Sequence, residues 1–326
     1  MENLTDLRIC SFNCRSVKNS LTDVCNLCSM HDIVLLQEHW LLPFDFGFLS
    51  DINDAFLAFG LSAVDIGSDI LNGRPYGGTA ILYGKQFAKL ISIIATNEAR
   101  LCCVKINTCV GPALIFNVYM PYDANDDASY DEYINICTKM NAIFNDSDCV
   151  YLVAMGDFNC KHGSRFNDLF TTFMYDCDLV CADILKHTDA FTYVSDDGLH
   201  MSWIDHIVCS KSLLNYINDI KVLYGNLCSD HRPLLACFES FVSDVMCTAN
   251  NAARYAGKSL NWSKASSSDV GRYQLLLAES LAKVDIPHCL LSCSGECDDL
   301  QHKHALADYY DDIIRCMKSP LMMLSS

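Results

Sequence analysis

Val150-Tyr151-Leu152-Val153-Ala154-Met155 runs directly into Gly156-Asp157-Phe158-Asn159. An apolar run of this length bounded by glycine reads as a buried strand, and polar groups that handle ligands collect where such strands end in α/β proteins. An aspartate and an asparagine two residues apart at that place can address a water, a metal ion or a phosphate oxygen. The same pair also forms turns whose side chains satisfy local backbone groups. By itself the tetrapeptide leaves both readings open.

Working outward, other apolar segments also end on polar residues. Leu7 to Phe12 leads into Asn13, and Asp32 to Leu36 leads through Gln37 into Glu38. Ile115 to Val118 leads into Tyr119, with Pro121 ending the segment. Trp203 to Val208 carries Asp205 inside an apolar run, where an unpaired charge is costly. Ser229-Asp230-His231 stands before Leu234 to Phe238 and places an acid and an imidazole at the mouth of a last strand. Taken singly, Asp205 with His231 could be a structural pair, Glu38 a backbone cap and Tyr119 a core aromatic.

Together these motifs resemble the endonuclease/exonuclease/phosphatase family, and within it the endonuclease domain of LINE-type (non-LTR) retrotransposons. Asn13, Gln37-Glu38, Tyr119-Met120-Pro121, Gly156 to Asn159, Asp205 and Ser229-Asp230-His231 match that family's pattern in order. Repair nucleases of the family carry an acid two residues after the first asparagine. This chain reads Asn13-Cys14-Arg15-Ser16, a form similar to that of several LINE clades. A second departure is Tyr122, where many relatives have a polar residue after the proline.

The resemblance implies a metal-dependent phosphodiesterase, most simply a DNA-nicking endonuclease using Mg²⁺ or Mn²⁺, hard ions suited to oxygen donors. It makes Glu38 the principal metal ligand, with Asn13 and Asp230 near it or one water removed. Asp157 would activate the attacking water, and Asn159 would hold that water or a phosphate oxygen. His231 would donate to the scissile phosphate while Asp205 fixes its ring. Tyr119 would bond phosphate and assist the leaving group. Arg15 and Thr192 would meet the substrate strand, although a β-branched residue such as Thr192 is ordinary in any strand. A phosphoesterase of the same fold acting on a phospholipid, phosphoinositide or RNA, or an inactive binding remnant, stays open.

Length and pattern imply one large α/β domain, residues 1–240, built by the resemblance as a four-layered α/β sandwich: two packed mixed β-sheets flanked by helices. A helix over Val17 to Met30 follows Ser16. Another over Asp127 to Phe144 puts Tyr130, Tyr133, Ile134, Cys137, Met140 and Phe144 on one face. After Phe238 the apolar strands stop, and residues 241–326 read as a linker and small helical extension, with helices near 269–284 and 300–317. Asn261-Trp262-Ser263-Lys264 and Asp308-Tyr309-Tyr310 resemble the connector that leads to a reverse transcriptase in LINE proteins. No polymerase motif fits in the remaining residues, as expected of a truncated copy or a gene fragment. Cys289, Cys293 and Cys297, with His302 and His304, could be read as zinc ligands, but their spacing fits no common zinc module.

Composition limits the partners. No stretch suits a membrane span, and the start Met1 to Arg8 lacks the regions of a signal peptide, so an intracellular protein, in nucleus or cytoplasm, is expected, with no membrane partner and no nucleotide cofactor. The 20 cysteines then read as reduced, buried apolar residues. Against 23 Lys and Arg stand 40 Asp and Glu, a net charge of −17 that repels a phosphate backbone at long range. DNA is therefore expected to bind weakly to the isolated chain, with specificity left to shape, to Arg15, Arg74, Lys161 and Arg165, or to a partner domain.

Overall fold

The computed structural model describes residues 4–64, 73–186, 190–225, 227–243 and 267–284, together with 286, 287, 305, 309 and 313. The chain divides into two compact units, Met1–Ala252 and Ala253–Ser326. The strands of the first, in order, are β1 Leu4–Asn13, β2 Ile33–Gln37, β3 Phe56–Leu61, β4 Thr79–Gly84, β5 Ile91–Ile94, β6 Leu101–Thr108 and β7 Gly111–Tyr119. They continue as β8 Tyr151–Asp157, β9 Leu179–Cys181, β10 Tyr193–Val194, β11 Met201–Ser202, β12 Asp205–Ser210, β13 Ile217–Val222 and β14 Leu234–Ser243. The helices are α1 Leu21–Met30, α2 Gly47–Ser50, α3 Asp127–Asp146, α4 Arg165–Asp176 and α5 Ala182–Lys186.

Two six-stranded mixed sheets form, ordered β13-β14-β1-β2-β4-β3 and β5-β6-β7-β8-β12-β9, with β10-β11 a separate hairpin. β1 runs parallel to β2 and β7 to β8, each pair joined through a helix, while the remaining pairs are antiparallel. Both faces of the central strands are buried, which explains why they read as continuous apolar runs. In β8, Val153 and Met155 join the core between the sheets, with Ile9, Leu35, Val104, Ile115 and Phe238. Leu152 and Ala154 point the other way, under Tyr133, Met140, Phe166 and Phe170 of α3 and α4. On the far side Cys10, Phe12, Val34 and Leu36 meet Val24 and Leu27 of α1. The first unit is thus an α/β sandwich of helix, sheet, sheet and helix layers, as the resemblance implied.

The described cysteines are thiols, and burial pushes groups such as that of Cys102 up to about 12, which keeps them neutral. Some details differ from the sequence reading. α1 begins at Leu21 instead of Val17, because Asn19 and Ser20 donate their amides to the Ser16 carbonyl in a turn before the helix proper. Ile134 on α3 faces solvent, and Ile136 takes the buried place. β12 begins at Asp205, so Trp203 and Ile204 precede the strand. β14 extends to Ser243, past residue 240. Of the second unit, the helix Ser267–Leu281 is described. The cysteine cluster at 289–297 and the Trp262 and Asp308–Tyr310 segments lie outside the described residues, apart from the helical placement of Tyr309. No described helix is long and apolar enough to cross a membrane.

Candidate active site

Register alone assembles most of the site. Asn13 closes β1 opposite Gln37, so Glu38 emerges beside it. Tyr119 closes β7 opposite Asp157, and Asp157 closes β8 opposite Asp205. Strand ends from two sheets therefore present Asn13, Glu38, Tyr119, Asp157 and Asp205 along one edge. His231 arrives on the loop before β14, where it bridges to Tyr193 of the β10-β11 hairpin.

Hydrogen bonds tie these side chains into one network. The Asn13 amide Nδ2 donates to Glu38 Oε1 at 2.9 Å and to Asp157 Oδ2 at 3.1 Å, bridging the sheets. Trp40 Nε1 donates to the other Glu38 oxygen at 3.1 Å. His231 Nδ1 donates to Asp205 Oδ2 at 2.8 Å, which turns Nε2 toward Asp157 Oδ2, 3.8 Å away. The Asn159 backbone N–H donates to Asp157 Oδ1 at 3.0 Å, and its side-chain amide donates to the Met120 carbonyl at 2.9 Å. Ser229 Oγ donates to the Asn13 carbonyl at 2.7 Å and accepts the His231 amide at 3.1 Å, fixing the loop that carries the imidazole.

Asp157, Asp205 and His231 are almost fully buried, and their ligand atoms crowd within 4.8 Å of one another. Burial pushes the Asp157 carboxyl up to about 7, although the His231 imidazolium opposes that rise and Asp205 adds to it. For His231, burial alone would lower the ring, but the Asp205 and Asp157 carboxylates outweigh it and raise it to about 10. Burial, followed by the Glu38 and Asp157 charges, raises the Tyr119 phenol, so it stays a donor.

The backbone carries strain in the same place. Of the nine described non-glycine residues in the left-handed region, five stand at or beside the site, Arg15 (φ 42°), Ser16 (φ 88°), Glu38 (φ 53°), Trp40 (φ 54°) and Asn159 (φ 49°), and the others are Asn97, Asn125, Asp178 and Ser240. Such conformations are costly and cluster where geometry is imposed by a site.

The remaining predicted residues take different places. Asp230 and Arg15 pair at 3.0 Å at the rim, and Arg15 also grips the exposed Asp196 at 2.7 Å. Thr192 is fully buried, and its hydroxyl accepts the amides of Ile204 and Asp205 at 3.1 and 3.0 Å. It therefore acts on the position of Asp205. Gln37, read only as the companion of Glu38, donates to Ser11 and Asn117 inside the sandwich and holds the two sheets together behind the site.

A second buried constellation escaped the sequence reading. His206 follows Asp205 on β12, and the alternation of the strand sends it to the opposite face, stacked on Phe170 at 5.4 Å. Its Nδ1 donates to Asp183 Oδ2 at 2.9 Å, and the same carboxylate accepts from Trp203 Nε1 (2.8 Å), the Ile207 amide (2.8 Å) and Cys181 (3.0 Å). With four donors the acid is satisfied, so it braces the strand that presents Asp205. Asp183→Leu should cost about 3–5 kcal/mol, since the buried imidazole and two N–H donors lose their acceptor; urea unfolding at pH 7 measures it.

The family described as Endonuclease/Exonuclease/phosphatase matches residues 10–231, a span from β1 to His231. Solved structures share the fold at low identity. The catalytic domain of APE2 from Xenopus laevis aligns with a TM-score of 0.59 at 16% identity over 73% of this chain and 93% of its own. A 3′ phosphatase from Neisseria, bound to a product DNA hairpin, gives 0.56 at 17% over 72% and 99%. The endonuclease domain of TRAS1, a telomere-specific non-LTR retrotransposon, gives 0.53 at 16% over 72% and 99%. No curated protein matches the chain. The matched span holds Asn13, Glu38, Asp157, Asp205 and His231 on one sandwich edge, and the chain belongs to the endonuclease/exonuclease/phosphatase family.

Proposed function

We propose that the chain hydrolyses phosphodiesters with a divalent metal ion and acts as a DNA-nicking endonuclease of the LINE type. The observation that carries this reading is the Asp205–His231–Asp157 arrangement beside Glu38, which sets a proton acceptor and a cationic donor 3.8 Å apart. Glu38 and Asp230 offer carboxylate oxygens, although Arg15 holds Asp230 at the rim, and the Asn13 amide oxygen accepts the Arg15 backbone N–H at 3.3 Å; each Glu38 carboxylate oxygen accepts a single N–H, so lone pairs remain for a hard ion. That fits Mg²⁺ or Mn²⁺, which when bound would neutralise phosphate charge and stabilise the departing oxygen.

The protein's own groups do the rest. A carboxyl raised to about 7 is matched to taking a proton from water at neutral pH, and the Asn159 amide keeps it oriented. The protonated His231 Nε2 donates to a phosphoryl oxygen while Asp205 holds the ring. The Tyr119 hydroxyl supplies a further donor at the end of β7.

The LINE assignment rests on Asn13-Cys14-Arg15-Ser16 together with the resemblance of the later segments to a polymerase connector. Charge opposes tight DNA binding. Arg15 is paired with Asp196 and Asp230, and Arg165 with Asp123 at 2.7 Å, in a chain of net charge −17. The acidic surface is the observation that favours a second reading, hydrolysis of a small phosphoester. Purified protein with Mg²⁺ should convert supercoiled plasmid to open circles, lose that ability in EDTA and regain it on adding Mg²⁺. Its affinity for duplex DNA at physiological salt should be weaker than micromolar. A plasmid left supercoiled while an inositol phosphate or RNA is hydrolysed would replace the endonuclease by the second reading.

A further inference from the structure

A cavity of about 440 Å³ opens beside the site and shares Glu38 and Tyr119 with it. Its other walls include Trp40, Arg74, Tyr76 and Arg100. The Arg74 guanidinium lies 4.1 Å from the Trp40 ring centre, and Arg100 lies 4.9 Å from that of Tyr119. Two cation–aromatic stacks thus flank one hollow, and Tyr76, 56% exposed, adds a third ring.

Trp40 is fixed there at some cost to the chain. Its backbone sits at φ 54°, a strained conformation for a bulky residue, while its amide donates to the Gly77 carbonyl at 3.1 Å and its indole to Glu38. Those two bonds lock the ring between the metal-ligand candidate and the loop that carries Arg74 and Tyr76. A ring that served only as filling would need neither.

The lining offers phosphate little free positive charge, because Glu132 takes the Arg100 guanidinium at 2.8 Å and Glu38 and Glu98 also stand at the cavity, Glu98 paired through one oxygen with Lys139 at 3.1 Å. Flat guanidinium and aromatic surfaces with carboxylates nearby suit a nucleobase instead: stacking on the faces and amino N–H groups donating to the acids. The volume lies in the range of ligand pockets. Resting on the phosphodiesterase reading of the adjoining site, we infer that this cavity receives one unstacked nucleobase of the cleaved strand, next to the scissile phosphate, and that Trp40, Arg74 and Tyr76 set the preference for deformable or unpaired DNA.

A duplex with a single bulged 2-aminopurine and a fluorescein at one end tests this in EDTA, where no cleavage confuses the signal. Bulged 2-aminopurine is bright, and stacking in the slot should reduce its emission at least about twofold when anisotropy shows saturation. Arg74→Ala with Tyr76→Ala, both at exposed positions, should leave the bulge bright at saturation. A saturated wild-type complex that stays bright, or a double variant that quenches equally, overturns the slot and leaves the nuclease reading standing. Absence of any binding up to about 100 µM, the weak end of ordinary non-specific affinity, overturns both.

Discussion

Asp157→Asn should slow plasmid nicking by about a thousandfold or more, and His231→Ala by about a hundredfold or more, with the folded state intact in both. A thousandfold corresponds to about 4 kcal/mol of lost transition-state stabilisation. The amide of asparagine is nearly the shape of the carboxylate, yet it cannot take a proton, so the water loses its acceptor. In the native site this carboxyl is buried, raised to about 7 and faces the charges of Asp205 and Glu38. Neutralising it relieves the cost of burying the charge, the largest cause of that rise, and this together with the lost repulsion outweighs the lost attraction to the His231 cation. The variant's melting temperature should therefore equal or exceed the wild type's, a stability gained as function is lost. For His231→Ala the direction is opposite, because Asp205 and Asp157 lose the cation between them and stability should fall. Nicking that survives equally in both variants would come from a contaminant and would end the endonuclease reading. A large loss in Asp157→Asn accompanied by a collapsed melt would instead give the aspartate a structural role.

The strands that carry the site were legible because burial on both faces erases the usual alternation. Val150 to Met155, Asp32 to Leu36 and Leu7 to Phe12 are largely apolar, and each ends on the polar residue that the fold delivers to the edge. What sequence could not give is pairing. Nothing in the spacing of Asp183, Trp203 and His206 announces that one carboxylate gathers four donors, because the contacts cross from β12 to the segment around α5. Thr192 shows the same limit from the other side. Its place in the motif suggested the substrate, whereas its hydroxyl is spent on the amides of Ile204 and Asp205 inside the protein. The slot around Trp40 was equally hidden, since Arg74 was read for its charge alone and its stacking depends on a loop that the Trp40 amide ties at Gly77. Helix boundaries slipped for a local reason: Ser16 at φ 88° begins a turn and not a helix.

Gly156→Ala should destabilise the protein by about 4 kcal/mol, combining a strained backbone with overpacking. Gly156 lies in the middle of a sheet, paired with Val118 on one side and His206 on the other, at φ 153°. A Cβ there would stand 1.9 Å from the Val118 carbonyl oxygen, which is backbone and cannot rotate away. The strands β7 and β8 would have to part at the point where Tyr119 and Asp157 are placed side by side. Loss of activity should therefore accompany the loss of stability, even in molecules that remain folded. Gly163 and Gly198 supply the comparison, since both have positive φ (78° and 69°) and nothing lies within 4 Å of where an alanine methyl would stand. Alanine there meets only the backbone penalty, about 1 kcal/mol. Urea unfolding of the three variants separates the effects. If Gly156→Ala proved no worse than the other two, the close approach of β7 to β8 would not be what fixes Asp157, and the glycine would belong to the turn chemistry from which the Gly-Asp-x-Asn stretch could also be read.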